Sequence, residues 1–186
     1  NPAIGGLAKG HVVREIDALG GEMARAIDET AIQFRTLNAS KGPAVRATRA
    51  QADRRLYRQR MRFCLEKAPN LTLKQGTVEG LILADEKGGQ TIKGVRLDTN
   101  EEFFSKAVIV TVGTFLNGLL HTGLTMLPGG RAGDMPSVGL SDSLKRTGLA
   151  MGRLKTGTCP RLDSRTIDYS ILEPQYGDKD TRPFSL

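Results

Sequence analysis

Lys106 to Val112, KAVIVTV, is the stretch on which the reading of this chain turns. Val108 to Val112 are β-branched without a break and show no in–out alternation. Such a run predicts a strand buried on both faces, as in the middle of a parallel sheet. The run ends on Gly113, where backbone can approach a ligand beyond the carboxyl end of the strand. On that argument Gly113 is a candidate cofactor contact.

Upstream, Leu71 to Lys74, Gly76 to Leu83, Thr91 to Leu97 and Glu102 to Phe104 read as strands. They are separated by Asp85-Glu86-Lys87-Gly88-Gly89 and by Asp98-Thr99-Asn100, which predicts a small antiparallel meander. Downstream, Phe115 to Leu127 reads as mixed and loop-like, and Pro128 to Asp134 as a loop. Ser137 caps or precedes a helix that runs through Leu140 and Leu144 and ends at Gly148. Leu149 to Leu154 reads as a strand leaving the domain. A helix, a meander and a buried strand ending in Thr-Val-Gly suit the second half of a flavoprotein's dinucleotide-binding domain, although plain Rossmann domains also end strands on glycine. The GxGxxG of a first strand–helix turn is absent, as is the acidic residue that ends the second strand. In a flavoprotein, that half would lie before Asn1.

Before the meander stands Asn38 to Arg55, NASKGPAVRATRAQADRR. Gly42-Pro43 predicts a rigid bend, and helix formers continue from there to about Lys67, predicting one long helix from about Val45. Arg46, Arg49 and Arg54 would crowd its first turns, with Lys41 just upstream. A helix start is electropositive already, so cations there suit an anionic partner; the alternative is a solvated face. Along this helix Ala50, Tyr57, Met61, Cys64 and Ala68 form one apolar stripe and Val45, Ala52, Leu56 and Phe63 a second. Two stripes predict a helix wedged between other elements, with Cys64 in the core and Arg55, Arg58 and Arg62 outward. Earlier still, Asn1 to Gly10 reads as loop. His11 to Leu19 reads as a helix with Val12, Ile16 and Leu19 on one side, ended by Gly20-Gly21. Glu22 to Ile27 reads as a further turn or two of helix, and Ile32 to Leu37 as a strand.

The 186 residues are enough for one good core. With 39% hydrophobic residues and 22 glycines, a loop-rich α/β protein is expected rather than a helix bundle. No apolar run is long enough to span a bilayer, so no membrane partner is expected. Two cysteines build no disulfide framework and suggest a reducing compartment. The net charge of +7 favours an acidic partner such as RNA. Only 5% of residues are aromatic, which argues against a stacking platform for single strands. No Cys, His and carboxylate cluster has metal-ligand spacing, and no Ser–His–Asp set stands out.

Several blocks together resemble one family. They are NPAIGGLAKGHVVREIDALGG, NASKGPAVRATRAQADRR, KAVIVTVGTFLNG, GGRAGD and GRLKTGT. They closely resemble the MnmG (GidA) family of bacterial tRNA wobble-uridine modifying flavoproteins, over essentially the whole chain. The resemblance implies a homodimeric cytoplasmic enzyme that binds FAD, uses NADH, and draws a carbon from methylene-tetrahydrofolate. With the GTPase MnmE it would install a 5-carboxymethylaminomethyl group on tRNA. Val78 matches a family FAD contact through its main chain, and Ser137 matches another. Lys9, Lys41, Arg46, Arg49, Arg131 and Lys155 are the candidates for facing flavin, folate or tRNA. The family's catalytic cysteines match no residue here, so no catalytic residue and no metal ligand is assigned. Cys159 stands where the family has proline, TGTCPR for TGTPPR, and reads as a neutral loop change.

The fold expected is therefore α/β. It would be a partial FAD-binding Rossmann-like domain lacking its first βαβ, over residues 1–148, with the meander at about 71–105. Residues 149–186 would begin an inserted domain. The chain reads as an internal piece of a longer protein, catalytically inactive and poorly stable alone because KAVIVTV would show an unpaired edge. Two other functions compete: the related folate- and FAD-dependent tRNA uridine methyltransferase, and a basic RNA-binding module without catalysis.

Overall fold

The structure, a computed structural model, describes residues 2–160 and 162–185. They fall into two units, Asn1–Leu73 with Asp163–Leu186, and Lys74–Leu162. The division expected at 148/149 thus lies inside the second unit, and the end of the chain packs with the first.

The first unit begins with β1 (Ala3–Gly5), α1 (Lys9–Ala18), α2 (Met23–Thr30) and β2 (Ala31–Leu37). A 3₁₀ turn at Pro43–Val45 leads to β3 (Ala47–Ala52) and α3 (Arg54–Lys67). The sheet order is β1-β3-β2, antiparallel throughout, with Gly5 and Arg35 both opposite Arg49. Three expectations change here. Part of the amino-terminal loop is β1. The long helix starts at Arg54, not Val45, so Arg46 precedes a strand and Arg49 lies within one. The buried side of α1 is Gly10 and Val13, whereas Val12 and Leu19 are exposed.

Local chemistry explains the late helix start. Asp53 caps α3, its carboxylate accepting from Arg55 N at 2.9 Å and Leu56 N at 3.0 Å. Residues before it are drawn into the sheet, because Ala47, Ala50 and Ala52 are small enough to be buried between close neighbours. Tertiary packing here overrides helix propensity. The core joins Val13, Ala24, Ile27, Ala50, Ala52 and Phe184. Phe184 is fully buried, and the Asp28 carboxylate accepts from the N–H groups of Phe184 and Ser185 at 2.9 and 2.8 Å. Gly5 sits at φ +79°, and a Cβ there would lie 2.6 Å from Phe184 Cζ, so the position requires glycine. On α3, Tyr57, Met61, Cys64 and Ala68 are half-buried, but Leu56 and Phe63 are exposed. Only one of its two expected apolar stripes is covered among the described residues. Arg60 ties α3 to the start and body of α2 through Glu22 at 3.1 Å and Glu29 at 2.6 Å.

The second unit contains β4 (Val78–Glu86), β5 (Gly89–Leu97) and β6 (Glu102–Phe104), an antiparallel sheet in that order. This is the expected meander, except that Leu71 to Lys74 forms no strand. A second hairpin, β7 (Leu119–Thr122) and β8 (Thr125–Pro128), replaces the loop expected there. Its turn is Gly123, at φ +59°. The helix after Ser137 is α4 (Gly139–Arg146), with Gly148 beyond it at φ +85°. Buried Ser143 docks α4 on β4, its Oγ accepting from Leu81 N at 2.9 Å.

Lys106 to Val112 departs furthest from its reading. It forms no ladder, and most of it is exposed, Ile109 at 88%. The physical reason is that no strand of the described residues lies beside it. A buried strand needs neighbours on both edges and cover on both faces. Leu149 to Leu154 likewise forms no strand. No described helix is long and apolar enough to cross a membrane.

Candidate functional site

The second unit carries a cavity of about 780 Å³. One wall is β4, starting at Val78; another is the extended run Ala107 to Val112; Met135 to Ser137 and Leu140 close it. The walls are mainly aliphatic, and neither lysine nor arginine lines them. Within the lining, Ser137 Oγ donates to the Val78 carbonyl at 3.2 Å. Ser137 therefore caps nothing: the residue at the start of α4 is Val138, and no side chain bonds the first turn. Instead the 59-residue separation of Ser137 and Val78 is closed by a hydrogen bond, which holds the α4 entrance on the first strand of the meander. The backbone around Ser137 is fixed twice more. Its N–H donates to Phe115 O at 2.9 Å, and its carbonyl accepts from Asn117 N at 2.8 Å.

A mainly aliphatic lining with a few polar groups suits a largely apolar ligand that carries hydrogen-bonding atoms. The aliphatic residues can cover apolar surface, and Val78 and Ser137 can meet hydrogen-bonding atoms. Gly113 adopts φ +57° just past the run but is not part of the lining.

The cationic candidates are divided between the two units. Lys9, Lys41, Arg46 and Arg49 belong to the first unit, and Arg131 and Lys155 to the second. Arg131 is answered by Asp134. Lys155 is exposed and outside the cavity lining. Arg49 is half-buried within β3. Arg46 donates through Nε to the Lys41 carbonyl at 3.1 Å and lines a separate, polar cavity of the first unit. Sequence reasoning missed the partners of Arg46 there, because they come from three distant segments. Among the described residues no group of three or more His, Cys, Asp or Glu could hold a metal ion. Cys64 is half-buried and Cys159 exposed.

Charge shifts arise at ion pairs and local turns and, for the Tyr57 phenol, from burial, which pushes it up. The Arg60 guanidinium holds the Glu29 carboxyl below its ordinary range. Arg60 is correspondingly shifted up by its bond to Glu29. Lys93 and Thr91 lower Glu86 in the same way. None of these groups lines either cavity, so they hold the fold rather than a reacting centre.

Comparison with known proteins gives a consistent result. The chain is 60% identical over 186 residues to a tRNA uridine 5-carboxymethylaminomethyl modification enzyme MnmG of Geobacter sulfurreducens, and 62% identical to that of Pelobacter propionicus. All of this chain is covered in both cases, and 29% of each relative's length. A solved structure of Aquifex aeolicus GidA superposes with a TM-score of 0.90 at 52% identity, covering 100% of this chain and 30% of that one. The chain thus spans somewhat under a third of the relatives it matches. The family model described as glucose inhibited division protein A matches residues 1–186, and the chain belongs to that family.

Proposed function

We propose that this chain is the part of a tRNA wobble-uridine modifying flavoenzyme that receives the adenosine half of FAD. The observation that carries the reading is the Ser137–Val78 hydrogen bond. Two positions that match the family's FAD contacts meet in the lining of one largely aliphatic cavity. Adenine has two apolar faces and a hydrogen-bonding edge, and the cavity offers complementary surfaces. The residues fit that half of the cofactor alone. The cavity has no lysine or arginine for a pyrophosphate, and the glycine-rich phosphate loop has no counterpart in this sequence. Both would come from the remainder of a protein as long as its relatives.

On this reading FAD supplies the redox chemistry. This chain's own task is to bind and orient: Val78 through its main chain, Ser137 through its hydroxyl and its twice-fixed backbone. The sheet is Rossmann-like only once further strands flank Ala107 to Val112. The full enzyme uses NADH and a methylene-tetrahydrofolate carbon, works with the GTPase MnmE, and acts as a homodimer on tRNA. These parts of the proposal rest on family membership.

The test uses the complete gene product. A flavin absorption spectrum that bleaches with NADH is expected, and then wobble-uridine modification of tRNA. Ser137→Ala should lower FAD affinity, with loss on the order of one hydrogen bond, about 1 kcal/mol. A colourless protein that resists reconstitution with FAD would contradict the proposal.

A further inference from the structure

The polar cavity of the first unit, about 460 Å³, joins four segments of the chain. Arg14 comes from α1, Arg46 from the approach to β3, and Arg182 from the end of the chain. Thr36 and Thr48 add hydroxyls, and Asp178 is the one carboxylate in the lining. The arginine and carboxylate charges in the cavity are therefore three positive against one negative, a net +2.

The convergence is built by the tail. Gln33 Nε2 donates to Gln175 O at 2.9 Å, and Arg35 Nη1 to Gln175 Oε1 at 2.6 Å. Asp178 accepts from Thr36 N at 2.7 Å and donates its own N–H to Phe34 O at 2.9 Å. These bonds dress the outer edge of β2, and burial of Phe184 anchors the end of the tail. Thr181 and Arg182, held between these two attachments, are carried to the cavity as a result. Asp178 is thus engaged with backbone rather than with a guanidinium.

Arg14 and Arg46 are oriented by backbone carbonyls and not neutralised by any described carboxylate. Arg14 Nη2 donates to Pro183 O at 3.3 Å and Arg46 Nε to Lys41 O at 3.1 Å. Neither they nor Arg182 forms an ion pair among the described residues. By contrast, Arg60, Arg62, Arg131 and Arg165 all meet carboxylates. A guanidinium has five N–H donors in a planar fork, so each cavity arginine keeps most of its donors free. Three such forks around one concavity match the tetrahedral oxygens of a phosphate better than a lone carboxylate or an apolar ligand.

We propose that this cavity is a phosphate-binding site formed by Arg14, Arg46 and Arg182, distinct from the cavity at Val78 and Ser137. The phosphate is either part of an RNA backbone or carried by a small phosphorylated molecule. The RNA source rests on the function proposed above; the phosphate site itself does not.

The experiment takes the complete gene product and a double variant, Arg14→Ala with Arg182→Ala. Its control is Arg55→Ala with Arg58→Ala, which removes the same charge from the exposed face of α3. Arg182→Ala alone guards against misfolding, since the Arg182 side chain makes no hydrogen bond among the described residues. Binding of inorganic phosphate and of a tRNA transcript is measured against salt concentration. The proposal expects the cavity variants to weaken phosphate binding about 10-fold or more while the control does not. If RNA is the source, the slope of log affinity against log salt for tRNA becomes shallower by about 1 to 2, beyond any change in the control. Loss of phosphate binding with tRNA binding intact would support the site and assign it to a small phosphorylated ligand. Equal effects of the cavity and control variants, or no effect on phosphate, would overturn it.

Discussion

Ala47–Ala52 and Ala107 to Val112 reverse the roles that their compositions suggest. The first, ATRAQA, is made of helix formers and is the central strand of a sheet. The second, AVIVTV, has high strand propensity and pairs with nothing among the described residues. The difference lies in neighbours. β3 has β1 and β2 on its two edges, α1 and Phe184 against it, and alanines small enough to admit them. Strand propensity measures how well a side chain fits a pleated, half-buried surface, and it acts only where that surface exists.

The comparison breaks most readily at Phe184. It fills the core against Ala50 and Ala52, with its ring centroid 6.4 Å from that of Phe34. Phe184→Ala should cost roughly 3–5 kcal/mol, read as a lowered denaturant midpoint, and should loosen β3 while leaving the meander's hydrogen bonds unchanged. Asp53 marks where strand gives way to helix. Asp53→Ala removes the cap and should cost about 1 kcal/mol, seen in the same unfolding curves with a loss of helical signal from α3. The smallest effect is electrostatic. Arg60 lowers the Glu29 carboxyl, so the folded state binds that proton less readily than the unfolded chain. The stabilisation is present above the ordinary glutamate range and is lost as pH falls through the lowered folded value. Glu29→Gln should therefore lower the unfolding midpoint slightly at neutral pH and narrow its difference from the unaltered protein in acid; an equal difference at both pH values would remove the pair from the account.

Much of the architecture was legible from the sequence. The meander arises from short apolar runs cut by Asp-Glu-Lys-Gly-Gly and Asp-Thr-Asn, and β2 and α4 stand close to their expected places. The start of α3 was not legible, because nothing local distinguishes ATRAQA as strand from the same residues as helix. Of the candidate cofactor site, Val78 and Ser137 were each named through resemblance, but their approach to one another was not anticipated; composition and periodicity carry no record of a contact across 59 residues. Arg14 and Arg182 were missed for the same reason, since the Arg14–Pro183 bond spans 169 residues. Only Arg46 stood out, as a cation beside a predicted bend.

Ala107 to Val112, which pairs with nothing among the described residues, is expected to become a strand only where further strands flank it. Native-state hydrogen exchange tests it most directly, on the 186-residue chain and on the complete gene product. Ala50 is expected to be protected in both, whereas the amides of Ile109 and Val110 exchange freely in the chain alone and become protected in the complete protein. Equal protection of Ile109 and Val110 in both, or in neither, would contradict the claim.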